Sequence, residues 1–485
     1  MSAVFPAIAW SALLPIMLVS GLGLLLLGAG LYTDDEETLG WGALAGLVVT
    51  GIVTLVLVGA DSVRTFNGTF ALDGYALFFD WLFLAAGILI VLMSMSYLGD
   101  TDIEAGEYYA LLMFAIVGMM VMAAATDLIV IFLGLEIMSI SVYILVGAWR
   151  TQPRANEAAL KYFLLGAFAT GFLLYGIALL WGATGSFRLD EIAEHLGAAA
   201  SLTGGRTLLL AGIAMLIIAF GFKVAAVPFH MWTPDVYEGA PTTVTALMAV
   251  AVKSAAFAAF IRIFMWGLAP VHADWWVVLW VLAAATMTIG NILALSQRSV
   301  KRMLAYSSVA HAGYVLVAVT TGSSDGGAAA LFYLLVYAFM TVGAFGVVAA
   351  LGRAGEPLEN IEDYAGLGSR APLLGATMAI FMLSLMGMPP LAGFAGKFYV
   401  FSIAVQEDFI VLAVVGVLNS VVSAGYYIRL LIAMYMTPEP AESPTLGRRP
   451  YLIASIVIAA GLTVLIGVFP SLALQVARLS FLSVH

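Results

Sequence analysis

Long apolar stretches recur along almost the whole sequence and constrain its fold more than any other feature. A helix needs about 20 apolar residues to cross a bilayer, and about fourteen such stretches lie between residues 8 and 472. Charged residues make up only 10% of the chain, whereas a soluble domain carries about 25%. We therefore predict an all-α polytopic membrane protein with about fourteen transmembrane helices.

The composition also limits the chemistry that the chain can perform alone. It contains no cysteine, which excludes thiolate-held iron–sulfur clusters and disulfides. Its five histidines are too scattered to suggest a pair of haem ligands. We expect no cofactor and no metal in this chain, and the lipid bilayer instead of nucleic acid as its surroundings.

The distribution of basic residues predicts the orientation, because cytoplasmic loops are enriched in lysine and arginine. The even-numbered loops contain few of them: Arg64, Arg188 and Arg206, with Arg262 at a helix end. The odd-numbered loops contain Arg150, Arg154, Arg298, Lys301, Arg302, Arg353, Arg370, Arg448 and Arg449. The odd-numbered loops are therefore predicted to be cytoplasmic, and both termini to lie on the opposite side.

A lysine and a helix break stand together in the stretch from Ala214 to Pro241. Lys223 falls within the seventh apolar span, predicted at 207–228, where a charge costs about 3 kcal/mol on insertion scales. Pro228 lacks a backbone donor and opens the helix, and His230 follows it. Charge beside a broken helix is typical of ion paths in membrane proteins. The alternative is a snorkelling lysine beside a simple kink.

A second break interrupts the long apolar stretch 372–405. Pro389 and Pro390 stand at the break, and Lys397 follows them within the same stretch. The sequence thus predicts two broken helices, each with a lysine near the break.

The two breaks belong to an apparent internal repeat. Tyr162 precedes Tyr333 by 171 residues, and Tyr143 precedes Tyr314 by the same interval. Five spans in each copy make the two copies opposite in orientation, which is the plan of many secondary transporters. We predict an N-terminal three-helix segment (1–107), two inverted five-helix repeats (108–267 and 268–436) and a C-terminal helix (437–485).

Other polar residues lie inside the predicted spans and are candidates for proton transfer. Glu136 lies near the middle of the fifth span, with Ser139 and Tyr143 on its face of the helix. Its expected partner is a buried lysine, although an ion pair that only fixes helix packing is the alternative. The remaining candidates are Lys161, which snorkelling explains equally well, Lys253, His230, His311 and Tyr306. Asp80, early in the third span, is interpreted as interfacial.

These residues permit proton transfer through a switch in charge. Burial disfavours the charged form of a lysine, and a nearby carboxylate favours it. A change in the separation of Glu136 and Lys223 would therefore load or unload a proton. Lys223, Lys253, His230, His311 and Lys397 are predicted to form a polar line near the midplane. Lysines repel metal cations, so such a line suits protons.

Several motifs in the chain resemble a known family. GLEIMSISVYIL, GFKVAAVPFHMWTPDVYEGAP, QRSVKRMLAYSSVAHAGYVL and GMPPLAGFAGKFYVF are similar to the antiporter-like subunits of respiratory complex I, most closely to the subunit N family. The resemblance covers nearly the whole chain. It implies that Glu136 pairs with Lys223, that Lys253 and Lys397 carry the proton onward, and that His230 lies between them.

The resemblance also implies a setting for the chain. It would be a subunit without redox centres in the bacterial proton-translocating NADH:quinone oxidoreductase of the inner membrane. NADH, FMN, iron–sulfur clusters and quinone would bind to partner subunits. The membrane neighbours would be the antiporter-like subunit M and the smaller subunits of the K, J and A types. Two alternatives stay open: a subunit of an Mrp-type cation/proton antiporter, and a structural membrane subunit without transport.

Overall fold

A computed structural model describes residues 8–33, 35–58, 62–201, 204–352, 358–439 and 449–483. Arg353 and Arg448, which contributed to the predicted orientation, lie outside these residues. The helices are α1 (Trp10–Ala29), α2 (Glu36–Leu57), α3 (Gly74–Tyr97), α4 (Ala105–Ala124), α5 (Leu128–Val146), α6 (Pro153–Thr184), α7 (Leu189–Ser201), α8 (Gly205–Val224), α9 (Trp232–Gly239), α10 (Thr242–Leu247), α11 (Lys253–Arg262), α12 (His272–Leu295), α13 (Val300–Thr320), α14 (Ser324–Leu351), α15 (Leu367–Arg370), α16 (Pro372–Met386), α17 (Ala392–Gln406), α18 (Ile410–Met436), α19 (Pro450–Val468) and α20 (Pro470–Leu482).

The predicted all-α membrane fold is confirmed. In the described part of the chain, 13 helices are long and apolar enough to cross a membrane. One of them runs from Thr242 to Gly267 and joins α10 to α11 through the π-helical segment Met248–Val252. The pair α16 and α17 supplies one more crossing, interrupted at the predicted second break. The count therefore agrees with the expectation of about fourteen.

The first break begins earlier than the sequence suggested. The seventh span was predicted to reach residue 228, but α8 ends at Val224. Ala225 follows with a φ of 62°, a left-handed conformation that stops the helix. Gly387 ends α16 in the same way, with a φ of 95°. The two breaks are thus built alike, from a left-handed cap followed by proline.

Two small elements were not predicted. Strands β1 (Val63–Thr65) and β2 (Phe70–Leu72) form an antiparallel hairpin before α3. Helix α20 follows the last span and inserts Phe481 against Gly327 of α14. The loop between α6 and α8 contains the short helix α7.

Ion pairs join odd-numbered loops to one another and even-numbered loops to one another, as expected when successive helices cross a membrane in alternating directions. Arg150 pairs with Glu107 at 2.9 Å, and Arg449 pairs with Asp100, which joins odd-numbered loops at one end of the bundle. At the other end Arg206 pairs with Asp274 at 2.9 Å. The odd-numbered and even-numbered loops therefore occupy opposite ends.

The centre of the bundle is formed by the segment α10–α11 together with α13 and α14, which are buried on almost every side. By contrast, α6 and α18 expose large apolar side chains such as Phe168 and Val421 to the surroundings. In a membrane these outer helices face lipid or neighbouring subunits, and the central helices are the place for polar side chains.

Close packing of α4 against α5 leads to a prediction about Gly118. A Cβ at this position would lie 2.4 Å from the backbone nitrogen of Met138 and 2.7 Å from the carbonyl oxygen of Gly134. We expect Gly118→Ala to destabilise the protein by about 1–3 kcal/mol, because backbone atoms cannot move aside cheaply. Thermal unfolding in detergent measures the effect.

Gly171→Ala is the matched control, since a Cβ at Gly171 meets nothing within 4 Å. It should leave the melting temperature unchanged or raise it slightly, because alanine favours a helix over glycine. Equal melting temperatures for Gly118→Ala and the unmodified protein would contradict the prediction.

Candidate functional site

Lys223 projects from the last turn of α8 onto α5. Its ammonium donates to the Ser139 hydroxyl at 2.8 Å and to the Tyr143 hydroxyl at 3.3 Å. The side chain is only 4% exposed. Both acceptors lie on the face of α5 that also carries Glu136, at i+3 and i+7. Lys223 therefore contacts the expected face of α5, through the hydroxyl groups of Ser139 and Tyr143.

Glu136 itself has a different partner. Its carboxylate accepts a hydrogen bond of 2.8 Å from the Thr170 hydroxyl on α6. Among the described residues, no ammonium or guanidinium nitrogen lies within 4.0 Å of this carboxylate. Ser139 thus stands between Glu136 and Lys223, and the two charged groups do not form an ion pair in this conformation.

Lys161 belongs to a surface network and not to the buried site. Its side chain is 44% exposed and pairs with Glu157 at 2.7 Å and with Asp235 at 3.2 Å. Arg302 pairs with Asp235 at 2.9 Å and with Glu238 at 2.7 Å. Burial works to raise the pKa of Asp235, but hydrogen bonds from Arg302 and Lys161 outweigh it and hold that pKa below its ordinary value.

Lys253 lies at the start of α11 and contacts α13. Its ammonium donates to the Ser308 carbonyl at 2.7 Å and also to the Ser308 hydroxyl. This partner was not predicted, although Ser308 stands close to the predicted polar residues of α13. Lys253 is thus anchored by one residue of the neighbouring central helix.

His311 continues the polar face of α13 one turn beyond Ser308. Its Nδ1 shares a hydrogen bond of 2.8 Å with the Tyr333 hydroxyl, and its Nε2 one of 3.3 Å with the Tyr427 hydroxyl. Tyr427 also bonds Ser307. The imidazole therefore connects two phenols from α14 and α18, neither of which was predicted.

Lys397 occupies the second break from the α17 side. Its ammonium donates to the Met386 carbonyl at 3.0 Å, at the end of α16. The same nitrogen lies 4.8 Å from the centre of the Tyr314 ring, a cation–π contact. Tyr314 is six residues beyond Ser308, so α13 carries polar contacts over about 9 Å between the partners of Lys253 and Lys397.

The structure does not connect every predicted residue to this line. His230 is half-buried in the first break, and its Nδ1 has no hydrogen-bond partner in the described part of the chain. Tyr306 is half-buried and packs against the apolar core beside Ser307. No hydrogen bond between described residues joins Lys223 to Lys253.

The site is suited to proton transfer because its three buried lysines share one chemical feature. Lys223, Lys253 and Lys397 each donate only to neutral oxygen atoms, and no described carboxylate lies within 4.0 Å of their nitrogens. An ammonium in such a place is costly, so small movements of a nearby charge change its proton affinity. Within the described ranges, no group of three or more histidine, aspartate or glutamate residues could hold a metal ion.

The broken helices, buried lysines and repeated crossings define an antiporter-like membrane protein. A protein-family model described as "NADH:quinone oxidoreductase/Mrp antiporter, TM" matches residues 125–423. The chain is 47% identical to the NADH-quinone oxidoreductase subunit N of Trichlorobacter lovleyi, over 98% of this chain and 97% of that protein. The corresponding subunit of Chloroflexus aggregans is 49% identical over 92% of both chains.

Among solved structures, a chain of respiratory complex I from Thermus thermophilus with bound aureothin is 35% identical. It superposes with a TM-score of 0.81 and covers 96% of this chain and 99% of that chain. The protein therefore belongs to the NADH-quinone oxidoreductase subunit N family.

Proposed function

We propose that this protein is a proton-translocating membrane subunit of an NADH:quinone oxidoreductase. The observation that carries the proposal is the set of three buried lysines, each donating only to neutral oxygen atoms and two of them in contact with α13. Lysine groups in this setting bind and release protons when a neighbouring charge moves. The protein contributes proton transfer to an enzyme complex without contributing redox chemistry of its own.

We infer the partners from the family to which the chain belongs. NADH, FMN, iron–sulfur clusters and quinone bind to other subunits, and quinone reduction there drives this subunit through conformational change. Its membrane neighbours are the antiporter-like subunit M and the smaller subunits of the K, J and A types. The complex lies in the bacterial inner membrane, with the odd-numbered loops in the cytoplasm and both termini outside it.

Two inverted repeats, 108–267 and 268–436, organise the pathway between the N-terminal segment 1–107 and the C-terminal segment 437–485. Lys223 lies 5.6 Å from the centre of the Tyr143 ring, and Lys397 lies 4.8 Å from that of Tyr314. Tyr143 and Tyr314 are the pair separated by 171 residues. The same lysine–tyrosine contact in both halves supports the repeat.

Glu136 modulates Lys223 in this proposal, and Lys253, His311 and Lys397 pass the proton onward. His230 and Tyr306 lie at the margin of the line, and Lys161 lies outside it, in the surface network. Glu136 is half-buried, on the partly exposed side of α5. A charge that approaches from this side alters the interaction between Glu136 and Lys223.

An Mrp-type antiporter is the second candidate, because the family model includes both classes. The experiment is NADH-driven acidification of vesicles that contain the reconstituted complex, with and without Na⁺. We expect full proton pumping in Na⁺-free buffer. A requirement for Na⁺ would favour the antiporter.

Lys397→Ala tests the pathway in the same vesicles. We expect it to lower pumping about tenfold or more, because a proton-carrying group is lost from the line. Arg206→Ala, which removes an exposed cation paired with Asp274, should leave pumping unchanged. Normal pumping by Lys397→Ala would contradict its role.

A further inference from the structure

Asp80 is a buried carboxyl group that the pathway described above does not use. The sequence suggested an interfacial residue; in the structure Asp80 lies early in α3, is 2% exposed and is enclosed by the bundle. Its Oδ1 is buried without a hydrogen-bond partner among the described residues. A buried polar atom without a partner is rare in a folded protein and calls for an explanation.

Asp80 lies on the face of α3 that packs against α10 and α11. Asp73 and Asp80 are seven residues apart, and Ser94 follows fourteen residues later, so all three share one side of the helix. At one end Asp73 pairs with Arg262 of α11 at 2.8 Å. At the other end Ser94 reaches Thr243 of α10 through the Tyr108 hydroxyl, with both hydrogen bonds at 2.9 Å.

The contacts of α3 also fix which residues of α11 lie opposite Asp80. The Tyr75 hydroxyl donates to the Ala258 carbonyl at 2.8 Å. Because the two helices run antiparallel, five residues forward from Tyr75 correspond to about five residues back from Ala258. Asp80 therefore lies at the level of Lys253 and Ser254.

Ser254 faces α3 at this level. It is spaced four residues from Ala258 and eight from Arg262, the two residues that contact α3, and so shares their side of α11. Its hydroxyl oxygen, like Oδ1 of Asp80, is buried without a hydrogen-bond partner among the described residues. Two unpartnered polar groups therefore lie on facing helix surfaces at the same depth.

Lys253 is the residue that connects this pair to the pathway. It directly precedes Ser254 and now donates to Ser308 on α13, on another side of α11. The π-helical segment Met248–Val252 ends immediately before it. Single π-turns are frequent at functional sites, and one residue more or less in such a turn rotates the following side chains.

We propose that Asp80 is a second partner of Lys253 and accepts its proton when the lysine turns from Ser308 towards Ser254. One N–H bond of the ammonium breaks and one O–H bond forms on the carboxylate. The lysine becomes neutral, the carboxylate becomes a carboxylic acid, and no electron moves. The inference rests on the proposed function, which it extends by a branch from α13 to α3.

The other cation of α11 is not available to Asp80. Arg262 on α11 is already paired with Asp73, two helical turns away from Asp80. Lys253 is the remaining cation at the level of Asp80 in the described part of α11. The branch leads along α3 towards Asp73, at the end of the bundle that contains the even-numbered loops.

The test uses the intact complex in vesicles and compares protons pumped per NADH oxidised. We expect Asp80→Asn, which keeps the shape but cannot carry the proton, to lower this ratio about tenfold. Asp80→Glu should restore at least half of it, a recovery that a purely structural role for the wild-type side chain would not give. An unchanged ratio in Asp80→Asn, or no recovery in Asp80→Glu, would overturn the inference.

If the complex that carries Asp80→Asn does not assemble, Ser254→Ala provides the test. We expect roughly threefold slower pumping, the effect of losing one ordinary hydrogen bond from the transfer route. The matched control is Ser455→Ala, a buried serine on α19 whose hydroxyl donates to Leu89, and its pumping should be normal. Equal rates for the two variants would overturn the inference.

Lys253→Ala separates this inference from the proposed function. If Lys253→Ala abolishes pumping and Asp80→Asn does not, only the branch to Asp80 fails. If Lys253→Ala pumps normally, the proposed function of the lysine line fails together with the branch.

Discussion

Lys223→Ala is expected to reduce NADH-driven proton pumping by the reconstituted complex about tenfold or more. The ammonium of Lys223 is the only one among the described residues that contacts the Glu136 face of α5, through Ser139 and Tyr143. Without Lys223, the Glu136 carboxylate has no nearby ammonium among the described residues with which its charge can interact. Acidification of the vesicle interior and NADH oxidation, measured together, give the result.

Lys223→Arg distinguishes a proton carrier from a structural cation. Arginine keeps the positive charge but does not release its proton in proteins. We therefore expect Lys223→Arg to pump as poorly as Lys223→Ala. Normal pumping by Lys223→Arg would indicate that only the charge matters, as in a subunit whose buried ions hold helices together.

Lys161→Ala is the matched control for this series. Lys161 is a lysine of α6, but its side chain is partly exposed and pairs with Glu157 and Asp235. Exposed ion pairs contribute little to the stability of a protein. Its removal should have a much smaller effect on pumping than the removal of Lys223.

Arg262→Met is expected to destabilise the protein by about 3–5 kcal/mol, because it leaves the buried carboxylate of Asp73 without its cation. Arg262 is 1% exposed and also donates to the Ala123 carbonyl at 2.7 Å. Its guanidinium lies 4.6 Å from the centre of the Tyr75 ring. Thermal unfolding of the purified protein in detergent measures the loss.

The double variant Arg262→Met with Asp73→Asn tests the reason for that loss. Asparagine keeps the cap that Asp73 gives to α3, where its side chain accepts from the Ala76 backbone N–H, but it carries no charge. We expect the double variant to regain much of the lost stability. Arg206→Met, at an exposed pair, should cost less than about 1 kcal/mol. A double variant less stable than Arg262→Met alone would show that the unpaired charge is not the cause.

The sequence predicted the broken helices and their lysines because each departs from its surroundings. A lysine such as Lys223 or Lys397 inside an apolar span is rare, and proline marks the nearby break in the same stretch of chain. These signals are local. They required no knowledge of which helices pack together.

The partners of these lysines could not be predicted in the same way. Ser308, Tyr333 and Tyr427 meet Lys253 and His311 only because α11, α13, α14 and α18 converge in space. A central helix that is apolar on every side has no hydrophobic periodicity to indicate which face meets which neighbour. The burial of Asp80 could not be predicted for the same reason, since most of α3 is apolar and buried.

The segment from Thr242 to Gly267 is bonded to α3 near both ends and contains a π-helical segment between them. Near its end, Arg262 is held by Asp73, and at its start the Thr242 backbone N–H donates to the Tyr97 hydroxyl at 3.3 Å. Neither end can slide along α3 without breaking these bonds. A rotation within the π-helical segment Met248–Val252 would, by contrast, leave both end contacts in place.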